Sequence, residues 1–107
     1  MSWRVEILNE AVAAEIAALA ADIQARFLRL AERIQSVGLE RVGEPHVKHV
    51  EGKLWEMRLT GRDGIARVLY VTAVGRRVVV VRAFAKKAQR IPRAEIELAT
   101  TRAKEIE

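Results

Sequence analysis

Apolar residues recur early in the chain at Val12, Ile16, Leu19, Ile23, Phe27, Leu30 and Ile34, in steps of 4, 3, 4, 4, 3 and 4. This rhythm follows the turn of an α-helix and predicts a buried stripe between Ala11 and Ser36. Gly38 supplies a stop at its C-terminal end. Asp22 is a candidate cap inside the span, so the pattern fits one long helix or a helical hairpin. Ahead of it, Trp3–Leu8 alternates Trp3, Val5 and Ile7 with Arg4, Glu6 and Leu8, a short strand. Gly43-Glu44-Pro45 reads as a loop that continues through His46–Gly52. Leu54–Thr60, Ile65–Val74 and Arg77–Phe84 then read as three strands of an antiparallel meander. The hairpin loop 61–64 joins the first two, and a two-residue turn at Gly75-Arg76 joins the last two. A helix from Pro92 to about Glu105 closes the chain, with Ile96, Ala99, Ala103 and Ile106 on one stripe. The expected class is α+β, in one domain over residues 1–107.

The hairpins fix a register, and strand side chains alternate between the two faces of a sheet. One face collects Trp55, Met57, Leu59, Ala66, Val68, Tyr70, Thr72, Val79, Val81 and Ala83, an expected core face. The other collects Glu56, Arg58, Arg67 and Arg82, with Leu54, Leu69, Val71, Val80 and Phe84. Arg58 stands directly opposite Arg67, and Arg67 directly opposite Phe84. Like charges in direct cross-strand contact are destabilising. Either a wet surface and the nearby Glu56 absorb the repulsion, or a bound phosphate turns it into shared recognition by guanidinium forks.

Charge sharpens this picture. The formal net charge is +5, but residues 41–93 carry thirteen Lys/Arg against four Asp/Glu, and both flanks are net acidic. A basic block between acidic ends fits a polyanion site; the plainer reading is a solvated face. Lys86, Lys87, Arg90 and Arg93 crowd just before and into the last helix, where the helix dipole prefers anions. There is no cysteine, which excludes disulfides and thiolate metal sites. No apolar run is long enough to span a membrane, and the charged start does not fit a signal peptide; a soluble cytoplasmic protein is expected. His46 and His49 stand at i and i+3 without a nearby third ligand; loop histidines are the default over a metal site, and no metal or cofactor is expected.

Four segments carry a resemblance: Leu54-Trp55-Glu56-Met57-Arg58, Ala66-Arg67-Val68-Leu69-Tyr70, Phe84-Ala85-Lys86-Lys87, and Pro92 followed by Glu95-Ile96, Ala99 and Arg102. In this order the chain resembles the RelE/HigB-like toxins of bacterial type II toxin–antitoxin systems, in particular their phage-derived branch. The likeness is strongest over residues 45–106. It implies a RelE-like sheet with helices on one face. It implies a metal-independent endoribonuclease that cuts messenger RNA on the translating ribosome. It also implies a partner antitoxin, a small helix-turn-helix DNA-binding protein. By motif position Arg58 and Arg67 match the phosphate-binding arginines, and Lys86 and Lys87 the family's lysine pair, with Arg82 beside them. Lys48, Lys53, Arg90 and Arg93 are the expected further contacts to RNA.

Such cleavage uses the ribose 2′-OH as nucleophile on the adjacent phosphorus. It needs a base, an acid for the leaving 5′-oxygen, and cations for the phosphorane charge. Arginines suit the last role; a lysine serves as base in its neutral form, which neighbouring cations favour. Several relatives place a tyrosine or histidine near the end of the last strand, and this chain has neither there. Its one tyrosine, Tyr70, points to the core face in the expected register. Two other functions stay open: a ParE-like toxin that binds DNA gyrase without cutting RNA, and a non-catalytic RNA-binding module.

Overall fold

The computed structural model describes residues 2–43, 46–87 and 89–106. Glu44 and Pro45 of the expected loop lie outside the described residues. In chain order the elements are β1 (Arg4–Ile7), α1 (Glu10–Ala17), α2 (Ala21–Val37), a short 3-10 turn (Leu39–Arg41), β2 (Val47–Glu51), β3 (Leu54–Thr60), β4 (Ile65–Ala73), β5 (Arg77–Ala85) and α3 (Arg93–Ala103). They form a five-stranded sheet in the order β1-β5-β4-β3-β2. β1 lies parallel to β5, and the other neighbours are antiparallel.

The N-terminal stripe resolves into a hairpin of two helices. Asn9 caps α1 by accepting the Val12 N–H at 3.0 Å. At its other end the Gln24 amide donates to the Leu19 carbonyl (2.7 Å) and the Ala17 carbonyl (3.2 Å), taking up acceptors that a continuing helix would have bonded. Asp22 is not the cap of α2. Ala20 holds that position, and the Asp22 carboxylate accepts the Arg62 N–H at 2.6 Å, pinning the β3–β4 loop to the helix. Gly61 makes that contact possible, because a Cβ there would lie 2.6 Å from Ile23 Cγ1.

The segment expected as a loop after Pro45 contains a strand, β2. Its apolar residues Val47 and Val50 are three apart and face opposite sides of the sheet, Val47 the α1/α2 core and Val50 the α3 side. With one apolar residue on each face, the strand shows no two-residue repeat, and its register to β3 slips between His49 and Glu51.

A second irregularity lies between β4 and β5. Ala73 pairs with Arg77, so the connection is the three residues Val74-Gly75-Arg76, one longer than expected, with Gly75 and Arg76 at φ of 90° and 57°. The register shifts back between Leu69 and Tyr70, which leaves Val81 as the extra residue. Beyond it Arg67 faces Phe84 and Arg58 faces Arg67, as the sequence predicts. Before it the faces are exchanged: Val78 and Val80 join the core under α1 and α2, while Val79 and Val81 do not.

The sheet is covered on both faces. α1 and α2 pack on Met57, Leu59, Ala66, Val68 and Tyr70, as expected. α3 lies on the opposite face, where Ile96 and Ala99 meet Leu54, Leu69, Val71, Val79 and Val81. Helices on a single face, as first expected, would leave that second apolar cluster in water. Among the described residues, no helix is long and apolar enough to cross a membrane.

Candidate nucleic-acid interface

α3 covers only part of its face, and the uncovered end borders a cleft of about 610 Å3. One wall is the α1–α2 junction, a second is the β3–β4 loop from Asp63 to Ile65, and a third is the segment leading from β5 to α3. Arg67, Arg82, Lys86, Lys87 and Arg90 all line it. The structure therefore gathers five of the nine residues singled out by sequence.

Two of these arginines are already engaged by protein carboxylates. Arg82 donates to both oxygens of Glu95, Nε at 2.6 Å and Nη2 at 3.0 Å, and its Nη1 lies 2.9 Å from Glu15. It also stacks over the Phe84 ring at 5.5 Å. Glu15 in turn accepts from Arg102 Nη1 at 3.0 Å and from the Ala83 N–H at 3.2 Å. This network clasps α1, β5 and α3 at the back of the cleft. Burial works against the Glu15 carboxylate, but the bonds from Arg102 and Ala83 and the Arg82 charge outweigh it and hold its pKa below the ordinary 4.5. A depressed carboxylate contributes stability above its unfolded pKa and loses it as pH falls through the folded one. Glu15→Gln should therefore cost about 1.5–3 kcal/mol at neutral pH. The gap from wild type should narrow below pH 4.5, checked by urea titrations at both ends of the range.

Arg67 was expected as a surface cation repelled by Arg58; it is 2% exposed. The Glu56 carboxylate, also 2% exposed, stands between the two, with Oε1 2.9 Å from Arg58 Nε and Oε2 3.3 Å from Arg67 Nη1. A buried carboxylate, not a bound phosphate, resolves the cross-strand repulsion. Arg67 Nη2 donates to the Gln89 carbonyl at 2.6 Å, so the same guanidinium anchors the segment that carries Lys86, Lys87 and Arg90. Glu56 is the residue the sequence reading underweighted. Its signal was visible, since it shares a sheet face with Arg58 and lies diagonal to Arg67.

Among the described residues, Lys86, Lys87 and Arg90 have no ion-pair partner. They are the cleft's uncommitted positive charges. Arg93 is not among them, because it forms a two-pronged pair with Glu51 at 2.8 Å that ties the start of α3 to β2. Arg58 lies outside the cleft lining and borders a separate hollow beside α2. Lys48 and Lys53 are exposed on β2 and on the β2–β3 turn, also outside the cleft. His49 packs edge-on against Trp55 and bonds the Gly52 carbonyl at 2.7 Å, while His46 lines the hollow with Arg58. The two imidazoles do not converge. Tyr70 is 1% exposed on the α1/α2 face, and burial pushes its hydroxyl pKa upward. It supplies nothing to the cleft.

This arrangement of sheet and helices is that of RelE. A chain in the crystal structure of the archaeal RelE–RelB complex from Pyrococcus horikoshii OT3 superposes with a TM-score of 0.57 at 24% identity, covering 79% of this chain and 96% of that one. No curated protein matches the chain. The family model "Phage derived protein Gp49-like (DUF891)" matches residues 14–104, so the chain belongs to that Gp49-like family.

Proposed function

We propose that this protein is the toxin of a type II toxin–antitoxin pair, of the HigB-like branch, and that it cleaves messenger RNA on translating ribosomes without a metal ion. The observation that carries the reading is the cleft, where Lys86, Lys87 and Arg90 have no ion-pair partner among the described residues and stand beside an anchored Arg67. An RNA phosphate entering there meets charge that the protein itself leaves unbalanced. In the reaction the 2′-oxygen bonds to phosphorus, the P–O5′ bond breaks, and a 2′,3′-cyclic phosphate forms. One lysine takes the 2′-OH proton and a second donor protonates the 5′-oxygen, while cations stabilise the phosphorane. Arg82 and Arg67 act mainly by position, holding the walls through their carboxylate and carbonyl partners. The partner is a cognate antitoxin, a small helix-turn-helix protein in this reading, and the site of action is the cytoplasm.

Expression without the antitoxin should stop translation within minutes and create new 5′ ends inside coding regions. Intact messages with arrested DNA replication would replace this reading with gyrase poisoning. Intact messages in cells that keep growing would leave only an RNA-binding module.

A further inference from the structure

Val47 faces Met57, and the His46 carbonyl takes the Arg58 N–H at 2.9 Å. α2 runs alongside. Its buried stripe is Ile23, Phe27, Leu30 and Ile34, which leaves Arg26, Arg29 and Arg33 exposed at i, i+3 and i+7. These three arginines, His46, Arg58 and Thr60 border one hollow of about 210 Å3. Among the described residues, Arg26, Arg29 and Arg33 have no ion-pair partner.

We infer that this hollow is a second phosphate-binding track, which grips the backbone of RNA outside the strand being cut. The inference rests on the ribonuclease reading for its partner and extends it to a surface beyond the cleft. Continuity favours RNA over an acidic protein. The two basic sites adjoin at the β3–β4 hairpin and the start of α2, where Thr60 of the hollow pairs with Ile65 of the cleft and Arg26 of the hollow follows Ile23 of the cleft by three residues. One polyanion can cross both. The spacing also fits, since three guanidiniums along two helical turns cover the length of a few phosphates.

The test compares wild type with Arg26→Gln/Arg29→Gln/Arg33→Gln and with the matching triple lysine variant. Glutamine and lysine keep the helix propensity of these exposed positions. The first probe is an uncleavable, unstructured 2′-O-methyl RNA, with affinity read by anisotropy across a salt series. The glutamine variant should bind at least about tenfold more weakly and lose about 2 from the logarithmic salt slope, at about 0.7 per phosphate contact on a single strand. The lysine variant should keep the slope. On programmed ribosomes, the glutamine variant should need more protein to reach half-maximal single-turnover cleavage, with the rate at saturation within about twofold of wild type. An unchanged affinity and slope overturns the track. So does unchanged RNA binding with weakened antitoxin binding, which would assign the surface to a protein partner. If wild type binds RNA with the arginine-dependent slope but cuts none, the track stands and the ribonuclease reading falls.

Discussion

Arg67→Ala is expected to cost about 3–5 kcal/mol of stability, the usual penalty for removing one partner of a buried ion pair. In a chain of 107 residues this lowers the melting temperature by well over about 10 °C. The cause is Glu56. At 2% exposure it cannot recover water for the oxygen that Arg67 serves, and the half-exposed Arg58 satisfies the other oxygen only. The substitution also removes the donor to Gln89 and releases the segment carrying the cleft's lysines. Toxicity should disappear with the fold. Arg58→Ala should cost less than about 1 kcal/mol, because its side chain is 37% exposed. Replacing both buried partners, Glu56→Gln with Arg67→Met, should recover much of the stability lost in Arg67→Ala, since no charge is then stranded. Thermal melts of the four proteins decide the matter. An alanine variant that melts with wild type would mean the buried pair is not what holds this end of the sheet.

The same residues mark how far a sequence can be read. Hydrophobic rhythm located the N-terminal helical span, with one helix or two left open, gave β3 its observed bounds, and located α3. The pairing of Arg58 with Arg67 and of Arg67 with Phe84 also followed from loop lengths. That second success came through two compensating departures. The longer turn at Val74–Arg76 shifts β5 by one residue, and the bulge at Val81 shifts it back. Nothing in a run of four valines reports a bulge, since every position is apolar whichever face it takes. For that reason the faces of Val78 to Val81 were read inverted while the faces of Arg82 and Phe84 were not. The strand at Val47–Glu51 carries no such rhythm, because its two valines lie on opposite faces of the sheet.

For the site, sequence supplied the cations but not their state of engagement. Arg82 and Arg93 resemble Lys86 and Arg90 in composition, yet their charges are met by Glu95, Glu15 and Glu51, which lie 13, 67 and 42 positions away in the chain. Carboxylates that distant become neighbours only once the helices dock. The crowding of cations ahead of α3 thus has a divided explanation. Glu51 answers Arg93 at the first residue of the helix, and the rest of the cluster opens into the cleft.

Within that cleft Lys86 is expected to matter most. The backbone ladder does not stop at Ala85, because the Lys86 N–H still reaches the Ile65 carbonyl at 2.7 Å. Strand alternation therefore continues through it and places its side chain with Arg82 and Phe84. Lys86 is half-buried against the cleft, whereas Lys87 is exposed at the rim. Lys86→Ala should slow single-turnover cleavage on programmed ribosomes by about 10²–10⁴-fold, the range for a positioned proton-transfer group. Its stability should stay within about 0.5 kcal/mol of wild type, since no ion pair among the described residues is broken. Lys87→Ala should do less to the rate and more to the concentration needed for half-saturation. Lys86→Arg separates charge from proton transfer: it keeps the cation but holds its proton throughout the accessible pH range. If Lys86 moves a proton, the arginine variant stays slow and the alkaline-going limb of the pH–rate profile disappears with it. An arginine variant as fast as wild type would reduce Lys86 to an electrostatic contact and send the search for the base to Lys87. An alanine variant that still cleaves at the wild-type rate would remove both from the chemistry of this position and overturn the role given to Lys86.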